Sequence, residues 1–162
     1  MRVGETDGVD YHFISRDAFL EMLANNELLE HNDFCGNLYG TPKAPVDDAI
    51  ENGRDFILKI DVNGAANVKA LMPDTVRIFV MPPSFEVLKN RLTRRGSENE
   101  DELRSRIQTA INEIKSAVDY DYIVINDDLS EAVSDVLEII NCDRHKTDRN
   151  IDFLNGVINY VE

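Results

Sequence analysis

The sequence is poor in cysteine and has no long apolar runs. Its 162 residues include only Cys35 and Cys142, with no Cys-x-x-Cys pair and no Cys/His cluster. A disulfide framework is therefore not expected. We expect both cysteines to be free thiols in a reducing cytosol. No apolar run approaches the roughly 20 residues of a membrane span, and the first eight residues lack the apolar core of a signal peptide. These absences predict a cytoplasmic protein.

Basic residues are also scarce, with 17 Lys and Arg against 31 Asp and Glu, which gives a net charge of −14. Such a field repels nucleic-acid backbones and anionic membranes, so neither is expected as a partner. A small anionic ligand could still bind where a few arginines converge, because their local charge can overcome the overall negative field. The length and the 43% hydrophobic content predict one globular domain that buries about two thirds of its unfolded surface.

Apolar and helical segments alternate along the last two thirds of the chain. Short β-branched runs at residues 56–60, 76–81 and 122–125 are apolar on both faces, as buried parallel strands are. Helical periodicity marks residues 84–94, 103–117 and a segment that follows the cap cluster at residues 126–128. This order predicts an α/β fold, a parallel sheet flanked by helices.

The first third has a different pattern. Ser15 is placed to cap a short helix, Pro45 and Gly53 frame another, and the polar and aromatic stretch between them predicts a small α+β lobe. We expect three parts: residues 1–55 as this lobe with a return helix, 56–147 as the core with a lid at about 91–110, and 148–162 as a C-terminal helix. An apolar stripe on that last helix would need a covering surface.

Four arginines, Arg91, Arg94, Arg95 and Arg106, flank a polar loop between two predicted helices. One interpretation is ordinary ion pairing with the acidic residues at 98–102. The other is a lid-like helical hairpin whose guanidinium groups close over phosphates, since such forks match phosphate oxygens. The residues alone leave both open.

A second set of polar candidates lies in the first 61 residues. Tyr11 and Tyr39 stand in glycine-punctuated polar stretches, where each is either a surface cover or a ligand contact. Glu30 follows an apolar pair and is either an exposed edge residue or a binding group. Asp61 ends the predicted strand 56–60, where it either caps the next helix or contacts a ligand at the carboxyl edge of the sheet. Arg2 belongs to the same set.

Taken in order, the motifs resemble those of guanylate kinases, and the resemblance extends from residue 2 to about residue 143. The matching stretches are residues 4–5, 7–13, 29–30, 36–42, 60–65, 82–84 and 125–128. The family transfers the γ-phosphoryl group of ATP to GMP. The resemblance therefore implies a P-loop NTPase-like sheet, a GMP-binding lobe, a helical lid, and Mg²⁺ as the cofactor that accompanies ATP.

Roles for individual residues follow from the resemblance, position by position. It implies that Glu30 and Asp61 recognise guanine with support from Thr41. It also implies a GMP-phosphate clamp of Arg2, Tyr11 and Tyr39 oriented by Glu5, catalytic lid arginines Arg91, Arg95 and Arg106, and Asn126 near the adenine of ATP. No residue is implied as a direct metal ligand. A carboxylate fits guanine because it accepts from N1–H and the exocyclic amine together, whereas adenine presents a bare acceptor at N1.

The sequence departs from the family pattern at the ATP site. No Gly-x-x-x-x-Gly-Lys-Ser/Thr occurs in these residues, and the first strand, the phosphate loop and its helix of the family precede the point where the resemblance begins. Lys59 also stands two residues before Asp61, where the family has an acidic or a neutral residue. We therefore expect this chain alone to be nearly inactive, because the phosphate loop supplies much of the positioning and charge for phosphoryl transfer.

Two interpretations follow from this departure. The first is a guanylate kinase whose N-terminal part is absent from this chain, and the retained lid arginines favour it. The second is a non-catalytic guanylate-kinase-like module that binds GMP or a partner. In either case strand edges would lack a neighbour. We expect a homo-oligomer that buries them, or a sheet in which residues 56–60 pair with residues 122–125.

Overall fold

The structure is a computed structural model that describes residues 4–34, 36–94 and 100–160. It divides into two compact units, residues 1–75 and 76–162. The predicted mixed α/β fold, with parallel strands and flanking helices, is confirmed. Three residues named above, Arg2, Cys35 and Arg95, lie outside the described residues.

The first unit is built around a β-hairpin. Helix α1 (Arg16–Ala24) begins at Ser15, whose hydroxyl accepts a hydrogen bond from the Ala18 amide at 3.1 Å. Strands β1 (Leu28–Phe34) and β2 (Asn37–Pro42) then pair antiparallel, with Glu30 opposite Thr41 and Asn32 opposite Tyr39. The pairing shifts register between Leu28 and Glu30, as at a β-bulge.

Two helices cover this hairpin unit. Helix α2 (Lys43–Glu51) begins two residues before Pro45, and helix α3 (Val62–Leu71) packs against β1. The small core of the unit takes one residue from each of β1, α2 and α3, namely Leu29, Val46 and Val68, with partly buried apolar residues packed against them. Because α3 is held on β1 by this core, the first turn of α3 lies against the polar residues of the hairpin.

The second unit contains the parallel strand pair. Strands β3 (Ile78–Met81) and β4 (Tyr122–Ile125) pair in parallel, and Val124 is 2% exposed. Between them run helices α4 (Phe85–Arg94) and α5 (Glu100–Lys115) and a 3₁₀ turn (Ser116–Asp119). Helix α6 (Leu129–Arg144) follows β4 and begins at Asp128, whose carboxylate accepts from two backbone amides of the first turn. The order strand, helix, strand, helix is the predicted one.

The chain continues from α6 through a second 3₁₀ turn (Thr147–Asn150) into helix α7 (Ile151–Asn159). Asp143 forms ion pairs with Lys146 at 2.8 Å and Arg149 at 2.9 Å, which tie the end of α6 to this turn. Partial burial raises the pKa of the Asp143 carboxyl, but hydrogen bonds and charge from Lys146 and Arg149 outweigh it and lower that pKa below its usual value. In the described part of the chain, no helix has the length and apolarity to cross a bilayer.

The prediction of a strand at residues 56–60 is wrong, because the structure assigns residues 54–60 to no strand. The predicted alternative in which this segment pairs with residues 122–125 is likewise not what the structure shows, since β4 pairs with β3. The physical reason is that a strand is defined by ladder partners elsewhere in the chain, and an apolar run cannot supply them. Leu58 and Ile60 of this segment still pack on the core of the first unit.

Self-association is the first testable expectation. Apolar side chains stand exposed on the parallel strands, among them Val80, Ile125 and Ile123, the last 53% exposed. Because exposed apolar strands pair readily with another chain, a second copy of this chain is the occupant we expect. Light scattering at micromolar concentration should give a mass above the monomer's 18.4 kDa.

The matched variants are Ile123→Lys and Val118→Lys. Lysine at Ile123 places a charge on strand β4 and should restore the monomer mass. Val118 is 85% exposed in the 3₁₀ turn, so the same charge there should leave the association unchanged. A monomer mass for the unmodified chain across this concentration range would contradict the expectation.

Candidate functional site

Glu30 is the one charged residue of the described chain that is buried, with 7% of its surface exposed. It lies on β1 just after the register shift, and the Thr41 hydroxyl on the opposite strand donates to its Oε1 at 2.7 Å. Of the two interpretations left open for Glu30, the exposed edge residue is therefore wrong. Burying a carboxylate is costly unless donors meet it, and Thr41 supplies one of them. Its remaining acceptor positions suit a ligand that carries N–H groups.

Asp61 takes the first of the two roles that the sequence left open, that of a helix cap. It is the N-cap of α3, where its Oδ1 accepts from the Gly64 amide at 2.8 Å. Its other oxygen, Oδ2, accepts a hydrogen bond from the Asn32 side-chain amide on β1. Donors on both oxygens fix the orientation of this carboxylate, and a carboxylate with about four acceptor positions has capacity left for a ligand.

Gly64 brings the two carboxylates together. Its amide binds Asp61, and its α-carbon lies against Glu30, so that a β-carbon added there would stand 2.8 Å from Glu30 Oε2. One residue therefore contacts both acidic side chains. The arrangement creates a region of concentrated acceptors, which chemically matches a planar base edge that carries adjacent donors.

The hairpin register places further site residues on one face. Residues directly opposite in an antiparallel pair share a face, and so do residues two apart on one strand. Glu30 with Thr41 and Asn32 with Tyr39 therefore lie on the same side of the hairpin. Asn32 also donates to Asp61, so this is the face that meets the start of α3.

Tyr11 and Tyr39, the two tyrosines of the phosphate clamp that the resemblance implies, lie beside each other. Their rings lie 5.7 Å apart in an edge-to-face arrangement, and Phe13 lies 5.8 Å from Tyr11 on another side. The loop that carries Tyr11 is held by two side chains: Asp7 accepts from the Phe13 amide at 2.8 Å, and Asp10 accepts from the Thr6 amide at 2.8 Å. Glu5 is half-buried immediately before this loop.

The remaining predicted site residues lie in the second unit. Arg91 is in the last turn of α4, Arg106 is on α5, and the two helices contact each other. Both arginines are exposed, and within residues 4–34, 36–94 and 100–160 neither forms an ion pair. Asn126 follows β4 directly, is half-buried, and donates its backbone amide to the Met81 carbonyl at 2.8 Å. Arg95 lies outside the described residues.

Two site residues were missed by the sequence reasoning. Asn32 is a polar residue inside a strand, and its position two residues after Glu30 is the signal that places it on the same face. Gly64 is the other, and nothing local in the sequence predicts its contact with Glu30. In the described part of the chain, no three His, Cys, Asp or Glu side chains come close enough together to hold a metal ion.

The fold and the site were compared with known proteins. The crystal structure of guanylate kinase from Anaplasma phagocytophilum superimposes with a TM-score of 0.79 at 35% sequence identity, covering 92% of this chain and 73% of that one. This likeness defines an α/β protein of the P-loop NTPase-like class.

Sequence comparisons name the family within that class. The guanylate kinase family model matches residues 1–143. The guanylate kinase of Lactobacillus delbrueckii subsp. bulgaricus is 45% identical over 151 residues, which are 93% of this chain and 74% of that protein. The guanylate kinase of Carboxydothermus hydrogenoformans is 46% identical over 148 residues, 91% of this chain and 72% of that protein. The chain belongs to the guanylate kinase family.

Proposed function

We propose that this chain binds GMP on the face formed by the hairpin and the start of α3, and that it serves the ATP-dependent phosphorylation of GMP to GDP once a phosphate loop for ATP is supplied. The observation that carries the proposal is the contact of Glu30 and Asp61 with one residue, Gly64. Family membership supports the reaction. In this proposal the protein is a cytoplasmic enzyme, and its negative net charge disfavours nucleic-acid binding.

Guanine recognition follows from the acceptors. Guanine presents N1–H and an exocyclic amine side by side, and carboxylates accept from both. Adenine has an acceptor at N1, so against the same carboxylates it would leave buried polar groups unpaired. In this proposal Glu30 and Asp61 bind the base and the Thr41 hydroxyl holds Glu30 in place.

Phosphate binding falls to hydroxyl and guanidinium groups. Tyr11 and Tyr39 offer two phenol hydroxyls from one edge-to-face pair, and with Arg2, oriented by Glu5, they would clamp the GMP phosphate. The lid arginines Arg91, Arg95 and Arg106 would bind the phosphates during transfer, since guanidinium forks match phosphate oxygens. Arg91 and Arg106 have no ion-pair partner in the described part of the chain, which favours this role over ordinary salt bridging.

The ATP side of the reaction needs more than these residues offer. Asn126 would lie near the adenine of ATP, and Mg²⁺ would accompany ATP as its counter-ion. The described residues hold no cluster suited to a metal, and the sequence contains no Gly-x-x-x-x-Gly-Lys-Ser/Thr motif. A second candidate function is a non-catalytic module that binds GMP or a partner, which would need no phosphate loop.

Titration calorimetry with GMP and AMP tests the proposal. We expect weak binding of GMP and a preference over AMP of about 5- to 150-fold, equivalent to about 1–3 kcal/mol for an unpaired buried polar group. The phosphate and sugar are the same in both ligands, so the difference reports the base alone. Equal affinities for the two nucleotides would contradict guanine recognition by this face.

A further inference from the structure

We propose that Gly64 and Asn32 are positioning residues that set the guanine specificity of the site by fixing where Glu30 and Asp61 present their oxygens. The inference rests on the proposed function, because it concerns the same acceptor pair. Neither residue offers a group that must touch the base. Each acts through a carboxylate that does.

Gly64 acts on both carboxylates at once. Its amide holds Asp61 Oδ1 at 2.8 Å, and the space where a side chain would begin is filled by Glu30: a β-carbon there would stand 2.8 Å from Oε2, 3.3 Å from Cδ and 3.4 Å from Ile60 Cβ. A separation of 2.8 Å is shorter than any ordinary contact between such atoms, so any larger residue displaces the carboxylate. The Glu30 carboxylate can occupy this position because residue 64 has no side chain.

Glu30 has little freedom to move away from a methyl group at position 64. It is buried, its Oε1 is held by Thr41 at 2.7 Å, and its neighbours Leu28 and Leu29 are buried on the same strand. Closely packed side chains have little room to rearrange, so a methyl group at position 64 would displace the Glu30 carboxylate. The carboxylate would therefore have to leave Thr41 or turn its acceptors away from the ligand.

Asn32 fixes the second carboxylate from the opposite side. Its side-chain amide donates to Asp61 Oδ2, while Gly64 donates to Oδ1. Asn32 also lies opposite Tyr39 in the hairpin, so the residue that orients Asp61 belongs to the same rung as a tyrosine of the proposed phosphate clamp. One hairpin therefore positions residues proposed for base recognition and a residue proposed for phosphate recognition.

The decisive experiment measures GMP and AMP affinities for Gly64→Ala. GMP affinity should fall by about 5- to 150-fold, the scale expected when a guanine donor loses its acceptor, while AMP affinity stays unchanged. The matched control is Gly156→Ala, a substitution at another helical glycine, in α7, where an added β-carbon meets nothing within 4 Å. That variant should keep the affinities of the unmodified chain for both nucleotides.

A double-mutant cycle separates positioning from general damage. Glu30→Asp shortens the side chain by one methylene and withdraws its carboxylate from position 64. In this background Gly64→Ala should cause little further loss of GMP affinity, because the two sites act through one contact. Additive losses would mean that the alanine acts elsewhere and would overturn the role of Gly64.

Asn32→Asp tests the second contact. It keeps the shape of the side chain but replaces the donor with a carboxylate that repels Asp61, so the preference for GMP over AMP should shrink. Asn112→Asp, an exposed position on α5, adds the same charge and should leave the preference intact. Equal effects of the two variants would overturn the role of Asn32.

The outcomes also separate this inference from the proposed function. If the unmodified chain shows no preference for GMP, the proposed function itself fails. If the unmodified chain prefers GMP and both Gly64→Ala and Asn32→Asp keep that preference in full, only the positioning role fails.

Discussion

Residues 1–162 should convert GMP to GDP with ATP at no detectable rate, and activity should appear when an N-terminal segment that carries a guanylate kinase phosphate loop is fused to the chain. Phosphoryl transfer depends almost wholly on positioning and electrostatic stabilisation. The phosphate loop contributes backbone N–H groups, a lysine and a hydroxyl that binds Mg²⁺, and the sequence contains no motif of that kind. A coupled assay of ADP formation with and without GMP measures the difference.

The fused chain should reach about 1–100 s⁻¹, the usual range for kinases. Its control carries the same segment with the loop lysine changed to alanine. That control supplies the same strand and helix, so any gain in stability is retained, but it lacks the charge that binds the transferring phosphate. It should therefore fold like the active fusion and remain far slower.

Two results would change the interpretation. Ordinary turnover by the chain without the fused segment would mean that ATP binds to residues within 1–162 by another route. A fused chain that binds GMP and still does not turn over would favour the non-catalytic module over the enzyme. Arg91 and Arg106 are exposed and have no ion-pair partner among the described residues, and for that reason we expect neither result.

Local signals in the sequence predicted local structure well. The sequence predicts helix caps at Ser15 and within residues 126–128, and offers a cap as one of two interpretations of Asp61. Ser15, Asp61 and Asp128 each accept a hydrogen bond from an amide of the first turn. A capping side chain needs only the residues that follow it, so the sequence contains all the information. Pro45 predicts a helix start two residues too late, since the structure begins this helix at Lys43.

Non-local structure was predicted less well. The apolar pattern of residues 56–60 predicts a strand, but strand formation depends on partners that the pattern does not specify. The burial of Glu30 was also left open by its sequence context, because that burial depends on Thr41, eleven residues along the chain, and on Gly64. The family resemblance assigns Glu30 a binding role that its local pattern leaves open, and that role stays a prediction.

Neither the local sequence pattern nor the family resemblance predicts the contact of Asn32 with Asp61. It has no cap or turn signature, and the resemblance assigns it no role. Only the alternation of side chains along β1 places it beside Glu30, and only the packing of α3 on that strand brings Asp61 within its reach. The contact between Asn32 and Asp61 could therefore be identified only from the tertiary structure.

Glu30→Gln should reduce the preference for GMP over AMP by about 5- to 150-fold, equivalent to about 1–3 kcal/mol. Glutamine has the same shape as glutamate, so the hairpin should fold unchanged. The Thr41 hydroxyl now donates to Oε1, and it can instead accept from the new amide because a hydroxyl rotates to suit its partner. Guanine, however, would meet one neutral oxygen in place of a carboxylate with two acceptors.

The matched control for this substitution is Glu27→Gln, an exposed position just before β1. It removes the same charge from the same unit, so a general electrostatic effect on nucleotide binding would appear in both variants alike. Guanine recognition by Glu30 requires that calorimetry show the lost preference in Glu30→Gln alone, with AMP affinity nearly equal in both. If Glu30→Gln instead weakens GMP and AMP by the same factor, Glu30 supports the fold of the site and does not read the base.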